Sequence, residues 1–145
     1  MSKIKLVCPQ CGGLNQAPAE RLAEGPVCGK CQSALLPGKP VAVDGAGLQR
    51  FIQHSELPLL VDFWAPWCGP CVSFAPTFER FADTVSDQML CLKLDTEAHQ
   101  QAAGQYAIRS IPTLALFGGG REIDRVSGAM PPAQLAQWVL QKLGQ

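Results

Sequence analysis

The stretch FWAPWCGPCVSF, residues 63–74, places two cysteines three positions apart between tryptophans, prolines and a glycine. A Cys-x-x-Cys pair can supply half of a metal site, a structural disulfide or a redox centre. Around it, LPLLVDFWA (57–65) is a continuous apolar run, typical of a central strand covered on both faces. A helix is predicted after the pair from an apolar stripe at helical spacing: Phe74, Phe78, Phe81 and Val85. Cys68 and Cys71 are therefore expected where a central strand ends and a helix begins.

This position predicts a reactive Cys68. Unpaired backbone N–H groups and the helix dipole favour an anion at the start of a helix, and a thiolate is such an anion. Gly69 lets the backbone turn sharply, and Pro70 suits the first helical turn because no N–H is needed there. Cys71 follows one turn later, close enough to attack a mixed disulfide formed by Cys68. We predict that Cys68 is the nucleophile and Cys71 the resolving thiol. The alternative is half of a second metal site, with only Cys91 and two histidines as further ligands.

The remainder of residues 41–145 alternates strand and helix signals. Helices are predicted after Asp44, after the cysteine pair, over 99–107 and from Pro131 onward, by apolar periodicity and capping residues. Strands are predicted from Val41 ahead of the Asp44 helix and near 57–65, 89–95, 112–117 and 121–128, the last two as a hairpin turning at three glycines. This order predicts an α/β fold with a mixed central sheet flanked by helices.

The N-terminal part contains four further cysteines with metal-site spacing. Cys8, Cys11, Cys28 and Cys31 form C-x2-C-x16-C-x2-C, the spacing of a structural zinc site. Four thiolates close a tetrahedral shell and leave no open position for a substrate water. Segments below ~40 residues rarely fold without a metal or disulfides. We predict one structural Zn²⁺ in a domain of residues 1–38, joined through LPGKP (36–40) to a second domain of residues 39–145. Two disulfides or reduced thiols in an unstructured tail are the alternatives.

Composition and charge exclude several classes of protein. The chain has 145 residues, of which 47% are hydrophobic and 17% charged, enough apolar material for a core. A formal net charge of zero gives no indication of nucleic acid or of a charged membrane surface. The segment MSKIKLVCPQ lacks the apolar stretch of a secretory signal, and no run approaches the ~20 apolar residues of a membrane span. We expect a cytoplasmic protein with no membrane or nucleic-acid partner.

Asp62 is an ionisable residue within the apolar run. Burial there would raise its carboxyl pKa, and the side chain would face the start of the cysteine-bearing helix. A carboxylate at that place could accept the proton of Cys71 as Cys71 becomes a nucleophile. Lys93, in a neighbouring strand, is the candidate partner. The residues alone leave open the alternative that Asp62 marks a solvated strand end.

The motifs VDFWAPWCGPC, Ser110-Ile111-Pro112-Thr113 and Val126-Ser127-Gly128 occur in an order that resembles the thioredoxin family over residues 41–145. With the four N-terminal cysteines, the whole chain resembles the zinc-binding bacterial thioredoxins of the thioredoxin 2 type. The resemblance implies a thioredoxin fold preceded by a small zinc-ribbon-like domain. It also implies a monomeric protein-disulfide reductase without an organic cofactor. Its electrons would come from NADPH through thioredoxin reductase, and its substrates would be oxidised proteins.

The resemblance also implies roles for individual residues. Cys68 and Cys71 would be the active pair, Asp62 the buried proton acceptor and Lys93 its neighbour. The substrate-binding surface would consist of Trp67, Gly69, Pro70, Ile111, Pro112 and Gly128. General X–Pro statistics predict a trans Ile111–Pro112 bond, whereas the resemblance implies a cis bond.

Val72 departs from the family pattern, which commonly has a basic residue directly after the second cysteine. Cys91 is expected to be an inert core thiol, because free cysteine is often buried. Two other functions stay open at this point. One is an oxidase or isomerase with the same chemistry, and the other is a zinc-ribbon interaction or redox-sensing module.

Overall fold

A computed structural model gives the fold of residues 3–144, the part of the chain that the structure describes. The N-terminal part is a two-stranded antiparallel hairpin of β1 (Lys3–Val7) and β2 (Leu14–Pro18), followed by a 3₁₀ helix (Ala19–Glu24). Val27 and Ala34 form a further antiparallel bridge. These elements enclose a small core that includes Leu6, Leu22 and Leu35 together with Cys8 and Cys28.

The second part is a five-stranded mixed sheet with helices on both faces. In chain order its elements are β3 (Val41–Ala42), α1 (Gly45–His54), β4 (Leu59–Trp64), α2 (Gly69–Thr84), β5 (Leu90–Asp95), α3 (Gln100–Gln105), β6 (Thr113–Gly118), β7 (Arg121–Ser127) and α4 (Pro132–Lys142). The strand order is β3-β5-β4-β6-β7. Strand β4 is central, because it pairs parallel with β5 and antiparallel with β6. The predicted order of strands and helices and the mixed sheet are confirmed.

Strand β4 is covered on both faces, as its apolar run predicts. Leu59, Val61 and Phe63 belong to the core on the side of α1 and α3. Leu60 belongs to the opposite core, which contains residues of α2 and α4. Because successive side chains of a strand alternate between the faces, Asp62 lies on the side of Leu60, beneath α2.

Two predicted helices differ in detail from the structure. The fully buried stripe of α2 consists of Cys71, Phe74, Phe78 and Ala82. Phe81 and Val85, which the sequence placed on this stripe, are only partly buried against the same core. Helix α3 covers only Gln100–Gln105, because the chain turns at Tyr106 and Ala107 takes a left-handed conformation (φ 55°). Helix α1 begins as predicted, with the Asp44 carboxylate accepting a hydrogen bond from the Gly47 N–H at 2.7 Å.

The N-terminal hairpin packs against the second part of the chain. The Glu56 N–H donates to the Lys5 carbonyl at 2.9 Å, and the Lys5 N–H donates to Glu56 Oε1 at 2.7 Å. Arg50 Nε donates to the Gly12 carbonyl at 2.6 Å, which ties α1 to the turn after the first cysteine pair. Apolar side chains also pack across the boundary between the two parts. Val7 of the hairpin lies in the core beside α1, and Leu57 of the second part lies in the core of the hairpin.

Within residues 3–144, no helix combines the length and apolar character needed to cross a bilayer.

Candidate active site and metal centre

Cys68 and Cys71 lie at the junction of β4 and α2, where the sequence placed them. Cys68 is the N-cap residue of α2, and its Sγ accepts a hydrogen bond from the Cys71 N–H at 3.2 Å. The two sulfur atoms form a disulfide, with the Cα atoms 5.2 Å apart. An unpaired N–H at a helix start stabilises negative charge on the atom that it contacts. The sulfur of Cys68 is therefore in a position that favours the thiolate after reduction.

The two cysteines are almost enclosed. Cys68 is 6% exposed and Cys71 only 1%, within a cluster that includes Ala65, Trp64 and Ile111. Trp67 is 68% exposed beside them, and Gly69 and Pro70 are also exposed. Of the two sulfurs, Cys68 is thus the one that an incoming disulfide can reach.

A second segment approaches the pair from the loop before β6. Ile111 packs against the cysteine cluster, and its carbonyl oxygen is 3.8 Å from Cys68 Sγ. The Ile111–Pro112 peptide bond is cis, as the resemblance implied and against general X–Pro statistics. The Gly128 N–H donates to the Pro112 carbonyl at 2.8 Å. Gly128 has φ 99°, a conformation that favours glycine. Ile111, Pro112 and Gly128 therefore lie together beside the disulfide.

Asp62 is buried behind this site. It is 4% exposed, so the alternative of a solvated strand end is wrong. Within the described part of the chain, its Oδ1 has no hydrogen-bond partner. Burial raises the pKa of Asp62 to about 7, while the charge of Lys93 acts in the opposite direction. Asp62 therefore titrates near neutral pH, which suits a group that exchanges protons.

Lys93 is the neighbour of Asp62 in register across β4 and β5. Its Nζ lies 5.2 Å from the centre of the Trp64 ring, a cation–π distance. Among the salt bridges of residues 3–144, none joins Lys93 to Asp62. The positive charge of Lys93 thus lowers the pKa of Asp62 by Coulomb attraction at a distance, without a direct ion pair.

One cavity of about 630 Å³ connects these groups. Asp62, Cys71 and Lys93 all line it. Its walls are completed by Val72 and other residues of α2 and by the segment 38–40, which the sequence identified as a linker. Asp62 and Cys71 therefore share one solvent-accessible space, through which a proton can pass between them directly or through water.

The four N-terminal cysteines converge on one point, as their spacing predicts. All four Sγ atoms lie within 4.8 Å of one another. Cys8 and Cys31 are 3.6 Å apart between sulfurs, and Cys11 and Cys28 are 3.7 Å apart. Four sulfurs this close without a disulfide among them form a cluster that could hold a metal ion.

Backbone and amide donors surround the cluster. The N–H groups of Gln10 and Lys30 donate to the sulfurs of Cys8 and Cys28, both at 3.3 Å. Asn15 Nδ2 donates to Cys28 Sγ at 3.4 Å and is the main cause that lowers the pKa of Cys28, to about 6. Donors of this kind stabilise thiolates and orient them toward a metal.

Comparison with known proteins agrees with these two sites. The thioredoxin family model matches residues 39–141, and the model described as "Thioredoxin 2, N-terminal", a zinc ribbon, matches residues 7–33. The chain belongs to the thioredoxin family. As a thioredoxin it is a thiol–disulfide oxidoreductase, and its Cys68 and Cys71 form a disulfide.

Individual relatives support this membership. Thioredoxin C-3 of Corynebacterium nephridii is 42% identical over 140 residues, covering 97% of this chain and 96% of that protein. Thioredoxin 1 of Synechococcus elongatus is 46% identical over 95 residues, covering 66% of this chain and 89% of that protein. Among solved structures, a mutant thioredoxin from Halobacterium salinarum NRC-1 superimposes with a TM-score of 0.66 at 30% identity. That superposition covers 73% of this thioredoxin and 92% of that chain.

Some features of this thioredoxin were not identified from its sequence. The sequence did not predict that the hydroxyl groups of Ser110, Thr113 and Ser127 are hydrogen-bonded to one another. These residues belong to the motifs that carry the resemblance. It also did not indicate that Arg50 contacts the turn of the zinc ribbon. Cys91, in contrast, lies where the sequence placed it, 2% exposed in the core, and burial raises its pKa to about 12. A thiol of that pKa stays protonated and unreactive at neutral pH.

Proposed function

We propose that this thioredoxin is a protein-disulfide reductase that uses Cys68 as nucleophile and Cys71 as resolving thiol. The observation that carries the proposal is the position of Cys68. It caps α2, its sulfur accepts the Cys71 N–H, and it is the more exposed of the two cysteines. A thiolate at that position is both stabilised and reachable.

The reaction proceeds by two thiol–disulfide exchanges. The Cys68 thiolate attacks one sulfur of the client disulfide, so that a mixed disulfide forms and one client thiolate leaves. Cys71 then loses its proton and attacks Cys68 Sγ, which releases the second client sulfur. The client gains two electrons and two protons, and the Cys68–Cys71 disulfide of the structure is the oxidised product.

Asp62 is the group we assign to accept the proton of Cys71. Its pKa of about 7 leaves it partly ionised at neutral pH, and it lines the same cavity as Cys71. Lys93, on the neighbouring strand, favours the ionised form. Both assignments rest on this shared cavity and on the resemblance to the family.

Clients would bind beside the disulfide along Trp67, Gly69, Pro70, Ile111, Pro112 and Gly128. Ile111 presents its backbone next to Cys68, which suits pairing with an extended client chain. Such recognition depends on main chain more than on side chains and therefore accepts many proteins. Re-reduction is assigned to an NADPH-dependent thioredoxin reductase, in the cytoplasm, with the protein acting as a monomer and without nucleic acid.

The metal that we assign to the four-cysteine cluster is one structural Zn²⁺, held by Cys8, Cys11, Cys28 and Cys31. With Zn–S bonds of about 2.3 Å, neighbouring sulfurs of a tetrahedral site lie about 3.8 Å apart. The sulfur pairs at 3.6 and 3.7 Å fit that size. Zinc would stabilise the domain of residues 1–38, whose own core is small, while residues 39–145 perform the redox chemistry.

The proposed reduction is tested with insulin as client and dithiothreitol as electron donor. Cys68→Ser is expected to lower insulin reduction to the rate of dithiothreitol alone, because the thiol that remains, Cys71, is only 1% exposed. Cys91→Ala serves as the matched control, since it removes a thiol that is buried away from this site. Insulin reduction by Cys68→Ser at the wild-type rate would refute the assignment of Cys68 as the nucleophile. Replacing dithiothreitol by NADPH and a bacterial thioredoxin reductase tests the electron source, and no NADPH oxidation would refute that part.

A further inference from the structure

We propose that the hydroxyl groups of Ser110, Thr113 and Ser127 form a closed hydrogen-bonded ring that holds Ile111 against Cys68. Ser127 would then be a positioning residue for protein clients. The inference rests on the proposed function, because it concerns how that same site places a client chain. We refer to these three hydroxyls and the Ser110 carbonyl as the hydroxyl ring.

The hydrogen atoms of the hydroxyl ring can be assigned without conflict. Thr113 Oγ1 donates to the Ser110 carbonyl at 2.6 Å, which uses its only hydrogen. The contact of 3.2 Å between Thr113 Oγ1 and Ser127 Oγ must therefore be donated by Ser127. Ser110 Oγ donates to Ser127 Oγ at 3.0 Å. Each hydroxyl donates once, and the chain of bonds starts and ends on Ser110.

The hydroxyl ring joins the two segments that border the disulfide. Ser110 precedes Ile111 in the loop before β6, whereas Ser127 ends β7 and precedes Gly128. Thr113 and Ser127 are also partners in the β6–β7 register. The Gly128 N–H bond to the Pro112 carbonyl crosses between the same segments at 2.8 Å. Thr113 is 2% exposed while both serines are exposed, so the ring runs from the core to the surface.

This connection sets the place of Ile111 relative to the reacting sulfur. The Ile111 carbonyl lies 3.8 Å from Cys68 Sγ, and Ile111 packs on the cysteine cluster. A client chain that pairs with the Ile111 backbone is positioned by that backbone, and small displacements of a reacting group lower the rate. A small disulfide without peptide groups has no such pairing to lose. Loss of the hydroxyl ring should therefore affect protein clients selectively.

Ser127→Ala removes two of the three ring bonds at an exposed position, and Ser127→Thr keeps the hydroxyl. The matched control is Ser86→Ala, which follows the far end of α2. For Ser127→Ala we expect kcat/KM for insulin to fall about 3- to 10-fold, the range expected for one or two neutral hydrogen bonds. Its rate with cystamine, a disulfide without peptide groups, and its reduction potential should be unchanged. Ser127→Thr and Ser86→Ala should match the wild type.

A double variant tests whether the hydroxyls act as one unit. Ser127→Ala already breaks the bond that Ser110 Oγ makes, so Ser110→Ala/Ser127→Ala should be no slower with insulin than Ser127→Ala alone. Equal insulin kinetics for Ser127→Ala and the wild type would overturn the inference. Equal losses with insulin and cystamine would also overturn it, since they would indicate damage to the dithiol itself. A wild type that does not reduce insulin would refute the proposed function and this inference together, whereas an active wild type matched by Ser127→Ala refutes only the inference.

Discussion

Replacing Asp62 by asparagine is expected to stabilise the protein at neutral and alkaline pH. The Asp62 carboxyl is 4% exposed, its Oδ1 has no partner among residues 3–144, and burial raises its pKa from 3.8 to about 7. A tenfold change in proton affinity is worth about 1.4 kcal/mol. Ionised Asp62 therefore destabilises the native state by about 4 kcal/mol.

The pH dependence has a defined sign. Between pH 3.8 and about 7, native Asp62 holds a proton that the unfolded chain has released, so stability falls as pH rises. Above this range both states are ionised, and the loss stays constant. The asparagine side chain of the variant has no charge to bury. The free energy of unfolding of Asp62→Asn should therefore exceed that of the wild type. The excess should grow by about 1.4 kcal/mol per pH unit up to about pH 7. Above that pH it should level off near about 4 kcal/mol, the free energy that corresponds to the whole pKa shift.

Guanidinium unfolding of the disulfide form, from about pH 5 to pH 8.5, measures this difference. Titration of the zinc ribbon is common to both proteins and cancels in the comparison. Asp87→Asn, an exposed aspartate after α2, controls for a change of net charge. A difference that does not vary with pH, or a wild type more stable than Asp62→Asn at pH 8, would refute the assignment of Asp62 as a buried carboxylate.

Three further predictions concern the chemistry of the two sites. Cys71→Ser should trap the mixed disulfide between Cys68 and a client, visible by non-reducing electrophoresis; no trapped species would contradict the resolving role of Cys71. Cys28→Ser with Cys31→Ser should release one zinc per chain and destabilise the hairpin of β1 and β2, yet change insulin reduction by less than about tenfold. An intact fold without any turnover would instead make the ribbon essential for catalysis. Val72→Lys should speed alkylation of Cys68 by iodoacetamide at pH 6 a few-fold. The reason is that an exposed cation next to Cys71 stabilises the Cys68 thiolate by up to about 1 kcal/mol. An unchanged rate would show that this position has no influence on Cys68.

Local residue patterns predicted the order of elements and the place of the dithiol. The apolar run of β4, the cap at Asp44 and the spacing of the cysteines each act over a few residues, so the sequence displays them directly. The burial of Asp62 was open from the residues alone. It depends on α2 covering one face of β4, which is a long-range contact. The cis bond at Pro112 likewise followed from the resemblance and not from local statistics.

Contacts between exposed polar residues could not be predicted. Arg50 contacts Gly12 across 38 positions, and Glu56 contacts Lys5 across 51. Such side chains follow no hydrophobic period, so nothing in the sequence marks their partners. The hydroxyl ring is similar, since Ser110 and Ser127 meet only through the register of β6 and β7.

The reduction potential of the Cys68–Cys71 pair, measured with zinc content recorded on the same sample, tests the reductase assignment most directly. The assignment predicts a value near about −270 mV, the potential of thioredoxin and strongly reducing toward protein disulfides. A value between about −180 and −120 mV, the range of isomerases and oxidases, would contradict it.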